Sequence, residues 1–418
     1  MLFICIAKMK TNNHITIITA NYYPEDTAIG LYTAQMADSL LLNGYKVSVI
    51  TGFPYYPQWQ YYMGYQDKSK YYYENINNIF VYRYKQYVPK KVNFIGRVKM
   101  MLSLLKGNLR NIKRIEQTNL VICIVPFTVS IFAAYLLAKK HKAKLWLHIQ
   151  DFEFDLAFDS GIFNSKKLKF FKRTVAYIES KLLNKAHIIS SISYGMLNKA
   201  QEKSVKTEKY FFPNWVNATD INPDKHTKHT YFSEDIFTLL YSGNIGYKQD
   251  WHIFIEVCKK IQELHLKIEI KIVGEGAFLK ELKELCKGFA FVKFYELVPY
   301  KELNNLLCSA DAHFLFQKSE VIDTVMPSKT LGMMASGKPS IITGSIKSEV
   351  KEIFEQANCG FYIYKNTVTE VLNTIMYLMQ NNESAKKMGK NGREYIVKKF
   401  EKNTVLNGFT EKVNTILN

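Results

Sequence analysis

Ile15-Thr-Ile-Ile-Thr-Ala20 and Val47-Ser-Val-Ile-Thr51 are two compact β-branched runs. They bracket Leu31 to Asn43, where Leu31, Ala34, Met36, Ala37, Leu40 and Leu41 recur near helical spacing. Gly44 follows where a helix commonly closes on a left-handed residue. The stretch reads as strand, helix, strand, and the pattern continues with strand-like runs at Ile79–Tyr84, Leu120–Val125, Ala143–Ile149 and His187–Ser191. Short, continuously apolar strands separated by helices predict a parallel sheet covered on both faces.

After Phe212-Pro-Asn-Trp-Val216 and a polar stretch over 217–230 the rhythm restarts. Strands are expected at Phe237–Ser242, Ile268–Val273, Val292–Phe294, Ala312–Phe316 and Ser340–Thr343, and helices at Trp251–Glu263, Ala277–Leu285 and Tyr300–Cys308. A chain of 418 residues, 47% hydrophobic, exceeds what one core usually supports. The expected class is α/β, with two doubly wound Rossmann-like domains facing an interdomain cleft. The expected boundaries are 1–215, 216–400 and a closing helix over 401–418 that folds back on the first domain.

Composition narrows the chemistry. The six cysteines are widely spaced, as in reduced cytoplasmic proteins. No run reaches the roughly 18 apolar residues that a membrane span needs. Residues 1–7 lack the basic lead and cleavage site of a signal peptide and read as an extension before the first strand. No metal-ligand signature appears, so no protein-held metal is expected. Residues 1–215 carry 30 Lys and Arg against 13 Asp and Glu, whereas residues 216–418 carry 26 against 24. The first half therefore faces an anionic partner: a membrane surface, a nucleic acid or a phosphorylated acceptor. No helix-turn-helix, RNA-recognition or zinc-finger signature accompanies the charge, which speaks against nucleic acid.

In open α/β sheets ligands sit beyond the carboxyl ends of the strands, and several turns expected there are unusual. Asp323-Thr-Val-Met-Pro-Ser-Lys329-Thr-Leu-Gly332 reads as a loop feeding a helix, with a hydroxyl at Ser328, a cation at Lys329 and first-turn N–H groups for a diphosphate. Ordinary helix capping explains the same residues. Gly243-Asn-Ile-Gly246-Tyr-Lys248 and Gly274-Glu-Gly276 add two glycine turns and a lysine. Gly30, opening the first helix, suits a close ligand approach or a plain tight turn. His148 closes an apolar strand and is followed by Asp151, Glu153 and Asp155. It can manage an acceptor proton or be a buried structural histidine.

These motifs, with Asn21-Tyr-Tyr-Pro-Glu25, Phe53-Pro-Tyr-Tyr-Pro-Gln-Trp59 and Phe212-Pro-Asn-Trp215, resemble GT-B glycosyltransferases of family 4, of the colanic-acid-cluster (WcaI-like) type. The likeness runs in order along nearly the whole chain. It implies a retaining, metal-independent transferase in which the C-terminal domain holds a UDP- or GDP-sugar and the N-terminal domain the acceptor. The catalytic set it implies is His148, Lys248 and Lys329, and the donor diphosphate set is Gly30, Gly243, Asn244, Lys248, Ser328 and Lys329. Asp323, Thr324, Gly274, Leu297 and Val298 are expected at the sugar and nucleoside. Asp151, Glu153, Tyr55, Tyr56 and Trp59 are expected at the acceptor. Two departures stand out: Gly243-Asn244 replaces a common Gly-Arg turn, and Gly332 stands where a ribose-binding glutamate is expected. The subgroup implies a sugar such as fucose or N-acetylfucosamine, passed to a polyprenyl-diphosphate-linked saccharide for O-antigen, capsule or exopolysaccharide. An epimerase or hydrolase of the same fold is the alternative.

Over Phe94–Ile115, apolar Phe94, Val98, Met101, Leu102, Leu105, Leu109 and Ile112 alternate with Arg97, Lys99, Lys106, Arg110, Lys113 and Arg114. Such a basic amphipathic helix suits the anionic inner face of a plasma membrane, as a peripheral contact, or a core-facing stripe with a solvated back. A second basic run covers 166–173, and the tyrosines between Tyr55 and Tyr73 read as an aromatic docking loop or a loop folded over.

Overall fold

The computed structural model describes residues 12–26, 28–89, 94–126, 128–151, 176–203, 206–233, 235–320, 328–365 and 367–418. Glu153, Asp155, Asp323, Thr324, Pro327, the 166–173 run and the Ser328 side chain lie outside the described residues. The chain forms two compact units, Met1–Pro213 with Leu406–Asn418, and Asn214–Val405.

Unit 1 contains an eight-stranded sheet. Its strands are β1 (His14–Ile18), β2 (Lys46–Gly52), β3 (Tyr71–Ile76), β4 (Ile79–Tyr84), β5 (Leu120–Val125), β6 (Lys144–Ile149), β7 (Ile188–Ser191) and β8 (Glu208–Phe211). The order is β3-β4-β2-β1-β5-β6-β7-β8. Every pairing is parallel except β3 with β4. Ile15 faces Val47 on one side and Leu120 on the other. All residues of β1 and β5 are buried: β5 is apolar throughout, and in β1 the polar His14 and Thr16 bond to Ser48 and Thr118. β3 is the exception to the expected layout: Tyr71, Tyr72 and Tyr73 form an edge strand, antiparallel to Tyr82–Tyr84, where a loop was expected. The helix Ala28–Leu42 connects β1 to β2.

The helix Lys402–Leu417 supplies the last part of unit 1. Phe409 is fully buried, stacked on Phe212 at 4.7 Å and edge-on to Trp146 at 5.2 Å. Tyr45 donates to Asn414, and Ser39 Oγ lies 3.4 Å from Thr410 Oγ1.

Unit 2 contains six parallel strands, β9 (Phe237–Ser242), β10 (Ile268–Val273), β11 (Val292–Tyr295), β12 (Ala312–Phe316), β13 (Ser340–Thr343) and β14 (Gly360–Ile363). The order is β11-β10-β9-β12-β13-β14, so the strand sequence reverses between β9 and β12. Leu240, Ile270, Ile272 and Ile342 in the sheet centre are fully buried. Asp250 caps the helix Trp251–Glu263 by accepting from Ile253 N at 3.1 Å. Arg393, from the helix Asn382–Lys399, donates to the carbonyls of Ala218, Ile221 and Ala335 at 3.1, 2.7 and 2.6 Å, holding three segments of the unit together. No helix among the described residues is long and apolar enough to cross a membrane.

Candidate functional site

The reversal between β9 and β12 leaves a crevice beyond their carboxyl ends, the place where such sheets bind ligands. Gly243–Lys248 follows β9, Gly274–Gly276 follows β10, Leu297 and Val298 follow β11, and the helix Ser328–Ala335 comes after β12. Backbone bonds from Gly243 N to Val273 O (2.9 Å), Ile245 N to Glu275 O (2.7 Å) and Phe278 N to Ile245 O (3.1 Å) lock the first two turns together. A Cβ on Gly274 would lie 2.0 Å from Gly243 O, and one on Gly276 would lie 2.2 Å from Ile245 O. These two glycines are required by one loop pressing on another.

Gly243 has a different reason. Its φ is +128°, and a Cβ there would meet Lys329 Cε at 2.5 Å. The missing side chain is the channel through which Lys329 reaches Asn244. Lys329 Nζ donates to Tyr241 Oη at 2.6 Å and to Asn244 O at 2.9 Å, and lies 4.4 Å from the centre of the Tyr241 ring. Tyr241 Oη also donates to Asn244 O, at 2.5 Å. Burial pushes the Lys329 ammonium down from 10.5 to about 8, and among the described residues no carboxylate offsets it. An ammonium has three donors, and two are used inside the protein. Among the described residues a third donor is left, and a desolvated cation at the strand-order reversal is what a diphosphate needs.

Lys248 lies on the same turn as Gly243 with its side chain exposed, and its carbonyl accepts from Lys318 N at 3.2 Å. Leu297 is 54% exposed and Val298 partly so. Gly332 faces Leu307, whose Cδ1 would lie 3.3 Å from a Cβ there. Tyr241 was not singled out from sequence. Its place one residue before the Ser242-Gly243 step of a buried strand is the available signal.

In unit 1 the expected groups fall into different environments. His148 is 1% exposed, a buried group rather than one open to a substrate. Gln150 Nε2 lies 2.9 Å from His148 Nε2, and His148 Nδ1 lies 2.9 Å from Ser190 Oγ, which also accepts from Trp146 Nε1 at 2.7 Å. This set assigns the proton to Nδ1. Burial lowers the imidazole to about 3, so it is neutral at pH 7, and proton transfer is not the role this placement suits. Gly30 packs on Glu25, whose carbonyl would lie 2.7 Å from a Cβ at position 30.

Tyr55 is also placed otherwise than expected, being 3% exposed with its ring edge-on to Trp59 at 5.7 Å. Glu25 Oε1 accepts from Tyr55 N at 2.7 Å and Tyr56 N at 2.8 Å, tying the turn after β2 to the turn after β1. Burial raises the Glu25 carboxyl, and these two N–H bonds pull it back down. The tyrosines that follow are folded over: Tyr61 donates to Gln86 O, Tyr62 to Tyr56 O at 2.8 Å, and Tyr65 to Glu74 at 3.2 Å. Trp59 and Tyr56 are partly exposed, as is Asp151.

The helix Phe94–Asn111, followed by a short 3-10 turn at Ile112–Arg114, turns a different face inward than its apolar stripe predicts. Met100, Leu104, Asn108, Asn111 and Ile112 are buried, while Ile95 (66%), Val98 (36%) and Leu102 (60%) are exposed. Arg97, Lys99, Lys106, Arg110, Lys113 and Arg114 are exposed as well. The phase is set at Gly107, where a Cβ would fall 2.1 Å from the Tyr84 ring.

Two Rossmann-like parallel-sheet units, the second with a lysine at its strand reversal, define a glycosyltransferase architecture, and the chain belongs to the group 1 glycosyl transferases. The model of that family, Glycosyl transferases group 1, matches residues 224–395. The Escherichia coli K12 protein described as "Putative colanic acid biosynthesis glycosyl transferase WcaI" is 32% identical over 352 residues, covering 82% of this chain and 86% of WcaI. Among solved structures, sucrose-phosphate synthase from Thermosynechococcus elongatus superposes with a TM-score of 0.69 at 13% identity, covering 97% of this chain and 99% of that one. Anabaena HepE in complex with UDP and glucose superposes at 0.66 with 12% identity, covering 96% and 99%. The fold is GT-B.

Proposed function

We propose that this glycosyltransferase moves a sugar from a nucleotide-diphosphate sugar, held by unit 2, to a lipid-diphosphate-linked saccharide held by unit 1. The observation that carries the donor reading is the buried Lys329 ammonium beside the Gly243 turn. In the reaction the acceptor oxygen bonds to the anomeric carbon as the bond from that carbon to the diphosphate oxygen breaks. The acceptor proton passes to the departing diphosphate on the same face, which retains configuration. Lys248 and Lys329, with Asn244, Ser328 and first-turn N–H groups, offset the charge that develops, so no metal is needed. Asp323, Thr324, Gly274, Leu297 and Val298 surround the sugar and nucleoside, and Asp151, Glu153, Tyr56 and Trp59 the acceptor. His148 serves as a neutral positioning group behind that surface.

HepE is described with UDP and glucose and WcaI with colanic acid. Those descriptions support a nucleotide-sugar donor and a place in bacterial surface-polysaccharide synthesis; the choice of UDP or GDP and of a fucose-type sugar is proposed from the family resemblance alone. The exposed Ile95, Val98 and Leu102 among lysines and arginines support peripheral contact with the anionic inner face of the membrane. Thermal unfolding with UDP, GDP, ADP and dTDP tests the donor reading. A nucleotide at 100 times its dissociation constant adds about 2.7 kcal/mol, and no stabilisation by any of the four would sink it.

A further inference from the structure

Unit 1 carries a cavity that the transferase reading does not use. It has a volume of about 310 Å³, between the end of β4, the start of β3 and the Phe94–Asn111 helix. Lys70, Lys85 and Lys106 line it, together with Tyr71, Tyr87 and Ser103, and among the described residues no carboxylate does. The nearby Glu74 is bonded to Arg83 and to Tyr65. All three lysines are exposed, and like charges gathered at one opening favour an anion there.

The surroundings fix the chemistry further. The helix comes close because Gly107 admits the Tyr84 ring, and this sets the adjacent Lys106 beside the chain just after β4, where Lys85 lies. Lys85 Nζ donates to Gln66 O at 2.8 Å and stands 5.5 Å from the Tyr61 ring centre. Ser103 Oγ accepts from Tyr87 N at 2.8 Å and donates to Met100 O at 2.8 Å, which holds the middle of the helix against the chain after β4. Leu102, 60% exposed, is one helical turn before Lys106 and shares its face, and Ile95, 66% exposed, lies along the same line.

We propose that this cavity is a binding site for a phosphate group, borne by a lipid headgroup or by a free phosphate compound. The lysines supply the charge, Tyr87, 42% exposed, adds a hydroxyl to the lining, and Leu102 and Ile95 form an exposed apolar strip on the helix face that carries Lys106. The site rests on no part of the donor reading.

The test compares two triple variants of the full chain, each losing three positive charges. One is Lys70→Gln/Lys85→Gln/Lys106→Gln, at the cavity. The other is Lys99→Gln/Arg110→Gln/Lys113→Gln, on the same helix and the 3-10 turn after it, at positions that do not line the cavity. The probes are inorganic pyrophosphate, titrated calorimetrically with UDP saturating, and vesicles of phosphatidylglycerol in phosphatidylcholine. The cavity variant is expected to bind at least one probe ~10-fold more weakly than the control variant does, a difference that three lost charge-assisted contacts readily supply. A loss confined to pyrophosphate identifies a free phosphate compound, and a loss confined to vesicles identifies a headgroup. Equal losses in the two variants for both probes, or no binding of either probe by the unaltered chain, overturns the site in favour of diffuse surface charge. A missing UDP shift counts against the donor reading and leaves the comparison of the two variants intact.

Discussion

Lys329 gives the transferase reading a pH signature. In the empty protein its ammonium titrates at about 8, so at pH 7 about nine-tenths of the molecules carry the charge and at pH 9 about one-tenth do. A bound diphosphate beside Nζ stabilises the protonated form and carries its pKa back toward 10.5 or above. Binding above pH 8 must then take up a proton, and the dissociation constant rises about tenfold between pH 7 and pH 9. Calorimetric titration of the nucleotide that stabilises the protein, repeated across that range, measures the slope. Running Lys329→Gln in parallel cancels any titration of the ligand itself. The variant is expected to bind ~10- to 100-fold more weakly at pH 7, the worth of a charge-assisted hydrogen bond, and to lack the tenfold excess slope. Parallel profiles for the two proteins would refute the placement of the diphosphate on Lys329. Stability gives the companion sign. The folded pKa lies below the unfolded value, so between pH 8 and 10.5 the unfolded chain binds the extra proton. The ligand-free protein gains up to about 3 kcal/mol from this group as pH rises through that window.

Acid acts on buried histidines in both units. His14, His148 and His313 are held neutral by burial, lowered to about 4, 3 and 3. The unfolded chain takes up these protons first as pH falls below 6.5, so the stability they contribute is full above 6.5 and declines below it, by about 2 kcal/mol each at pH 5. Melting temperatures from pH 7.5 to 5 that fall no less in His148→Gln than in the unaltered chain would contradict this for His148. Arg393→Lys removes the planar fork that serves three carbonyls, and a loss of ~2–3 kcal/mol from unit 2 is expected in denaturant unfolding. An unchanged midpoint would show that the fork is dispensable.

The strands legible in the sequence are compact runs in which apolar and aromatic residues dominate. Leu120–Val125, Phe237–Ser242 and Ala312–Phe316 form strands at their expected bounds, the first with no polar residue and the others with only Thr238, Ser242 and His313. β3 was hidden because an edge strand needs only one covered side, and Tyr71–Ile76 reads as a polar aromatic stretch. The face of the basic helix was misread for a related reason. Asn108 and Asn111 look like surface residues, yet Asn108 is buried beside Ser130 Oγ at 3.3 Å, and Asn111 reaches Tyr82 O and Arg83 O at 3.4 Å. Lys329 was visible as a cation after a strand, but its desolvation depends on Tyr241 and on the space at Gly243, far apart in sequence. The clamp from Glu25 to Tyr55 and Tyr56 is equally invisible to local pattern, because it spans some thirty residues.

The ring of Phe409 has a consequence for how this protein is made. Unit 1 is written in two pieces of sequence with the whole of unit 2 between them, so Trp146 and Phe212 wait uncovered through the synthesis of nearly two hundred further residues before their partner exists. On the ribosome, unit 2 has all of its residues before unit 1 does, reversing the usual first-come order of domains. A cut placed between the units to separate them would strip unit 1 of a core aromatic. Grafting Leu406–Asn418 back by a linker is the way to obtain it whole.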